Sequence, residues 1–129
     1  MQFDFLTVND VVAIHSRQIE IHGGSTGIRD EGLLLSALAM AQASFFGQYA
    51  HNDIYEMAAA YMFHIAMNHP FVDGNKRTAA AAAIIFLGMN DIEVTVDNPT
   101  LVDIVLAVAQ GQKDKSQITE FLKEYSRPL

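Results

Sequence analysis

The chain contains no cysteine, and its eight Lys and Arg are outnumbered by fifteen Asp and Glu. The first absence excludes a disulfide framework and thiolate catalysis. The second leaves a formal net charge of −7, which argues against non-specific binding to nucleic acid or to an anionic membrane surface. No apolar run approaches the roughly 20 residues of a membrane span; the two longest, Met57 to Met67 and Ala79 to Met89, reach about half that and are split by a polar stretch. The N-terminal residues Met1 to Leu6 lack the basic region and long apolar segment of a signal peptide, so the expectation is a cytoplasmic protein without membrane contact. No His-Glu-x-x-His occurs, and His64 and His69 lack the i, i+4 spacing of a zinc pair, which disfavours a zinc hydrolase. There is also no phosphate loop of the Gly-x-x-x-x-Gly-Lys-Ser/Thr form, no internal repeat and no low-complexity linker. What is present is apolar material. Hydrophobic residues make up 50% of the 129, enough for one domain, 1–129, with a sizeable core.

Helical signals dominate the order of the chain. Thr7, with Asp10 three residues on, reads as an N-cap and capping box for a helix carrying Val8, Val11, Val12, Ile14, His15 and Ile19, ended by Gly23-Gly24. His15 and His22 are expected at its surface or half-buried, and Arg29, in the loop that follows, is expected to pair with Asp30 or Glu31 rather than to meet a partner protein. Asp30 can cap a second helix to about Ala43. Asn52 or Asp53 opens a third, about Ile54 to Asn68, apolar nearly all round and therefore buried, with His64 as a hydrogen-bonded core histidine. A fourth runs from about Asn75 to Met89 through five alanines, Ala79 to Ala83. Ile92 to Val96 alternates as a short strand. Asn98-Pro99 reads as the start of a fifth helix to Gln110, and Ser116 as the cap of a sixth, ended before Pro128. The fold class is all-α: a compact bundle of about six helices, with room for one short β element.

The two longest apolar runs are joined by His69-Pro70-Phe71-Val72-Asp73-Gly74-Asn75-Lys76-Arg77, far more chemistry than a helix connection needs. Pro70 disfavours the α-conformation at His69, so the preceding helix should stop near Asn68. Asp73-Gly74 reads as a turn, and Asn75 as the N-cap of the next helix. Lys76 and Arg77 then fall in the first turn, where the macrodipole is positive and a cation costs a few tenths to about 1 kcal/mol. An anion bound over that turn, above all a phosphate chain, reverses the sign. A carboxylate such as Asp73 tolerates a neighbouring phosphate when Mg²⁺ lies between them. His69, at a helix end, is suited to take a proton from an attacking hydroxyl near neutral pH. Base, carboxylate and anion cradle together suggest transfer of a phosphorus-centred group.

This stretch resembles the His-Pro-Phe-x-Asp/Glu-Gly-Asn-Gly-Arg signature of the Fic/Doc family, in the Doc variant that has lysine for the second glycine. The likeness extends through Ile14 to Gly24 and Gly27 to Leu34. It implies a Fic/Doc helical domain with the active loop between its two central helices. It further implies His69 as general base, Phe71 as loop anchor, Asp73 as Mg²⁺ ligand, and Gly74, Asn75, Lys76 and Arg77 as the cradle for the ATP phosphates. Many Fic adenylyltransferases carry a second arginine three residues after the first; here that position is Ala80, in agreement with the Doc pattern. The implied activity is transfer of the ATP γ-phosphate to a hydroxyl of an elongation factor Tu-like translation protein, as a toxin. Adenylyl transfer and a non-catalytic nucleotide- or partner-binding module remain the alternatives. The inhibitory Ser/Thr-x-x-x-Glu-Gly/Asn helix is missing, since Ile21 follows Ser16…Glu20 and Phe121 follows Ser116…Glu120. The resemblance therefore implies restraint in trans by a Phd-like antitoxin. The aromatic, aperiodic segment Ser44 to His51 reads either as the flap that holds a target peptide beside the site or as a loop with Phe45, Phe46 and Tyr49 tucked into the core.

Overall fold

The computed structural model describes residues 3–45 and 47–129. Among them are six helices: α1 Val8–His22, α2 Glu31–Ala41, α3 Ile54–Asn68, α4 Asn75–Met89, α5 Asn98–Ala109 and α6 Lys115–Glu124. The helical bundle is as expected, but it carries two short antiparallel strand pairs where one short β element was foreseen. Strands β1 Ser44–Phe45 and β2 Gln48–Tyr49 form one. The other joins β3 Ile92–Val94 to β4 Ser126–Pro128, with Ile92 opposite Pro128 and Glu93 opposite Arg127. Arg127 Nε donates to Glu93 Oε2 across that pair at 2.9 Å, so the chain end is pinned beside the α4–α5 connection.

Helix α3 is the axis. It packs against α2, α4, α5 and α6, and its stretch Met57 to Met62 is buried throughout. The alanines explain how neighbours come so close: Ala58, Ala59 and Ala60 of α3 and Ala79, Ala80, Ala82 and Ala83 of α4 are all buried, and methyl side chains let two backbones approach while keeping the best helix propensity. Tyr61 crosses the core so that its hydroxyl accepts a hydrogen bond from Leu6 N at 3.0 Å. Burial pushes that phenol up to about 12, which keeps it neutral and available as a partner. The segment before α1 is thus stapled to the middle of α3.

Five of the six helices begin on a side-chain cap. Thr7, Asp30, Asp53, Asp97 and Asp114 each accept from a backbone amide two or three residues into their helix, with reciprocal capping boxes at α1 and α6. Two of these differ from expectation. At α5 the cap is Asp97 rather than Asn98, because Asp97 Oδ1 reaches Thr100 N at 2.8 Å. At α6 it is Asp114 rather than Ser116, because Gln117 bonds back to Asp114 N and so satisfies two amides at once. Only α4 begins without such a cap: Gly74 stands at its N-cap position and offers no side chain.

The segment Ser44 to His51 lies far from the His69–Arg77 loop. Arg29 and Asp30, just before α2, donate their amides to Pro70 O, so α2 starts beside that loop. Eleven residues of helix then carry the chain about 16 Å away before β1 begins. At that remote end Tyr49 packs on Phe3 and Phe5, and Phe5 stacks on Phe86, three turns into α4. The flap reading of this segment is therefore corrected. It is a buttressed hairpin at the far end of the bundle, in which Tyr49 is half-exposed; the expectation for the side chains of Phe45 and Phe46 lies outside the described residues. No helix among the described residues is long and apolar enough to cross a membrane.

Candidate active site

Helix α3 ends at Asn68 as Pro70 requires, and His69 takes the left-handed conformation, φ 49° and ψ 55°. For a side-chain-bearing residue this costs of order 1–3 kcal/mol, so the surroundings must impose it. They do so from the segment 24–30. Pro70 O accepts two amides, Arg29 N at 2.7 Å and Asp30 N at 3.0 Å, and Val72 N donates to Gly27 O. Ile28 and Phe71 form an antiparallel bridge. Arg29 does not pair with Asp30 or Glu31 as expected. Its guanidinium donates instead to two consecutive carbonyls, His69 O through Nε at 2.6 Å and Asn68 O at 2.8 Å. Asp30 is occupied in capping α2, which removes it as a partner.

Phe71 anchors the loop. It is almost completely buried, and the His15 ring lies flat against it with centroids 3.9 Å apart. His15 is itself buried, contrary to its expected surface or half-buried place. Its Nε2 lies 2.8 Å from Asp73 O; a carbonyl can only accept, so Nε2 carries the proton. Asn75 does not cap α4. Its carboxamide turns back and closes the loop, Oδ1 accepting from Phe71 N at 2.9 Å and Nδ2 donating to Phe71 O at 3.0 Å. Each of the two atoms makes one bond within the loop, and Nδ2 keeps a second N–H.

Asp73 points outward. Ser25 N bonds Oδ2 at 3.1 Å and Gly74 N bonds Oδ1 at 2.8 Å. These two amides, with Arg77 nearby, hold the carboxyl below its usual range. Each oxygen keeps a free lone-pair direction, which fits a cation that takes one protein carboxylate and fills the rest of its sphere with water and phosphate oxygens, as Mg²⁺ does. Next to it, the first intrahelical bond of α4 runs from Thr78 N to Gly74 O at 3.0 Å. The amides of Asn75, Lys76 and Arg77 precede that ladder and are free for an anion. Lys76 and Arg77 are exposed, and no acid stands in that turn.

These groups border a groove of about 550 Å³ that is also lined by Gln18 and His22 of α1 and by Ala81, Ile84, Leu101 and Val105 of α4 and α5. The structure therefore brings Asp73, Gly74, Asn75, Lys76 and Arg77 to one surface. His69 is exposed at the edge of the same loop but is not part of the groove wall.

A family model described as the Fic/DOC family matches residues 5–87. Among curated relatives, protein kinase doc of Escherichia phage P1 is 30% identical over 118 residues, covering 92% of either chain. Toxin Doc of Mycolicibacterium smegmatis is 45% identical over 75 residues, 58% of either chain. The chain belongs to the Fic/DOC family.

In this Fic/DOC protein the residues around the loop matter as much as those on it. Gly24 has φ +117°, and a methyl group there would lie 2.6 Å from Asp73 Oδ2, so the α1–α2 connection is moulded onto the carboxylate. Sequence reasoning missed Gly24, Ser25, His15 and Arg29 as parts of the site. For His15 a signal existed: it lies four residues from both Val11 and Ile19, on the buried stripe of α1.

Proposed function

We propose that this protein is a Doc-like toxin that transfers the γ-phosphate of ATP to a hydroxyl of a translation protein of the elongation factor Tu type. The observation that carries the reading is the bare start of α4. Five helices satisfy their first amides with a Thr or Asp side chain; the sixth presents glycine, three free amides, Lys76 and Arg77. That end is unfavourable alone and favourable under a phosphate chain. The names of its relatives, a protein kinase and a toxin, agree with this. Asp73 would hold Mg²⁺, which supplies charge neutralisation on the phosphates. His69 would take the proton of the attacking hydroxyl as its oxygen bonds to the γ-phosphorus and the bond to the β–γ bridging oxygen breaks, so that ADP leaves. Its exposed position outside the groove suits a base that must meet a hydroxyl arriving on another protein. Restraint by a Phd-like antitoxin in trans completes the reading.

Incubating the protein with a cell extract and separately labelled α- and γ-³²P ATP tests it. The expected result is γ-label on an acceptor protein, lost in His69→Ala with the thermal midpoint unchanged because His69 is exposed. Label from the α-phosphate would select adenylyl transfer, and nucleotide-induced stabilisation without labelling would select a non-catalytic module.

A further inference from the structure

We infer that Arg29 is a positioning residue for His69, acting through the backbone that carries the imidazole. The inference rests on the reading of His69 as the base. Arg29 comes from a different segment, forty residues earlier, yet it spans the two carbonyls on either side of the turn out of α3, His69 O and Asn68 O. Among the described residues no other side chain bonds His69 O, and Arg29 forms no salt bridge there. The adjoining amides Arg29 N and Asp30 N hold the next carbonyl, Pro70 O. Three consecutive carbonyls, 68 to 70, are thus fixed by one short stretch of chain. Together they define the left-handed turn at His69 and the direction in which its side chain leaves the loop. The anion cradle is held by other groups, Asn75 and His15, through Phe71 and Asp73. Arg29 should therefore govern the placement of the base while leaving nucleotide binding alone.

A purely stabilising role is the competing explanation, since any cation near the C-terminus of α3 is favourable. The two are separable because lysine keeps the charge but cannot span two carbonyls with a planar fork. If Arg29 positions His69, both Arg29→Ala and Arg29→Lys lower the rate of γ-label transfer at saturating MgATP by about 10- to 100-fold, the scale of a misplacement near 1 Å. The apparent affinity for ATP stays within about twofold, and a crystal structure of Arg29→Lys shows His69 out of the left-handed region. Should Arg29→Ala not fold, Arg29→Lys carries the test. A rate for Arg29→Lys within about twofold of wild type, or a loss that follows ATP affinity or folding, overturns the inference while the kinase reading stands. A wild-type protein that labels nothing overturns the kinase reading. In that case the structure of Arg29→Lys decides what is left: His69 unmoved removes the clamp as well, and His69 displaced leaves it as a conformational device.

Discussion

Substituting Gly24 by alanine probes how the α1–α2 connection shapes the candidate metal carboxylate. Two effects add. The backbone at Gly24 has φ +117°, a region essentially reserved for glycine, and forcing a side chain into it costs about 1–3 kcal/mol. The new methyl carbon would also stand 2.6 Å from Asp73 Oδ2, 3.2 Å from Asp73 Cγ and 3.2 Å from Ile19 Cδ1. The carboxylate is the mobile partner, so it swings away and gives up the Ser25 amide at 3.1 Å. Gly23→Ala is the matched control: φ is +80° and ψ 177°, so the backbone penalty is of the same kind, but nothing lies within 4 Å of the added methyl. Both variants should lose thermal stability, about 4 °C for each kcal/mol of strain in a domain of this size. Only Gly24→Ala should also weaken the Mg²⁺-dependent part of ATP binding, about tenfold or more, the usual cost of disturbing the partners that orient a metal ligand. Calorimetric titration of ATP with and without MgCl₂, beside thermal melts of the three proteins, measures both terms. If Gly24→Ala gains as much affinity from Mg²⁺ as Gly23→Ala does, Asp73 is not held for a metal by this contact and the reasoning fails.

Two further predictions concern the scaffold. Tyr61→Phe leaves Leu6 N buried without its acceptor, which costs about 1–3 kcal/mol; urea unfolding would show it, and an unchanged midpoint would mean that water replaces the phenol. His64 gives a pH dependence. Burial first, then the Lys115 ammonium 3.1 Å from its Nε2 and then His51, lower its pKa from the ordinary 6.5 to about 4. The unfolded chain therefore binds a proton between those values that the folded chain refuses. The contribution of His64 is complete above about pH 6.5 and is lost as pH falls towards 4. His64→Gln should flatten the decline of stability over that window in urea titrations, and an identical slope in both proteins would refute the assignment.

The parts of the fold legible in the sequence are those fixed by partners a few residues apart. Helix α3 runs from Ile54 to Asn68 and α4 from Asn75 to Met89, the bounds expected, because Asp53, Pro70 and Gly74 act on their immediate neighbours. Where two caps compete locally the sequence is ambiguous: at Asp97-Asn98-Pro99 and at Asp114-Lys115-Ser116 the earlier residue wins, and at α6 the deciding partner, Gln117, was visible three positions on. Strand β4 was not legible, since its register with β3 joins residues over thirty positions apart.

The same division runs through the site. The charged residues of the loop announce themselves, because a base, an acid and two cations between apolar helices are more than a connection needs. Their conformation does not, because it is imposed from elsewhere: His15 reaches Asp73 across 58 positions, Ser25 across 48 and Arg29 reaches His69 across 40. Arg29 shows why spacing misleads here. Asp30 and Glu31 are adjacent in sequence, but an exposed ion pair is worth little, Asp30 serves its own helix better as a cap, and the carbonyls left over at the end of α3 need donors. The arginine goes where hydrogen bonds are missing rather than where charge is nearest. A short polar loop between two buried helices is thus under-determined by its own residues, and its chemistry becomes defined only when a second segment, residues 24–30, folds down on it.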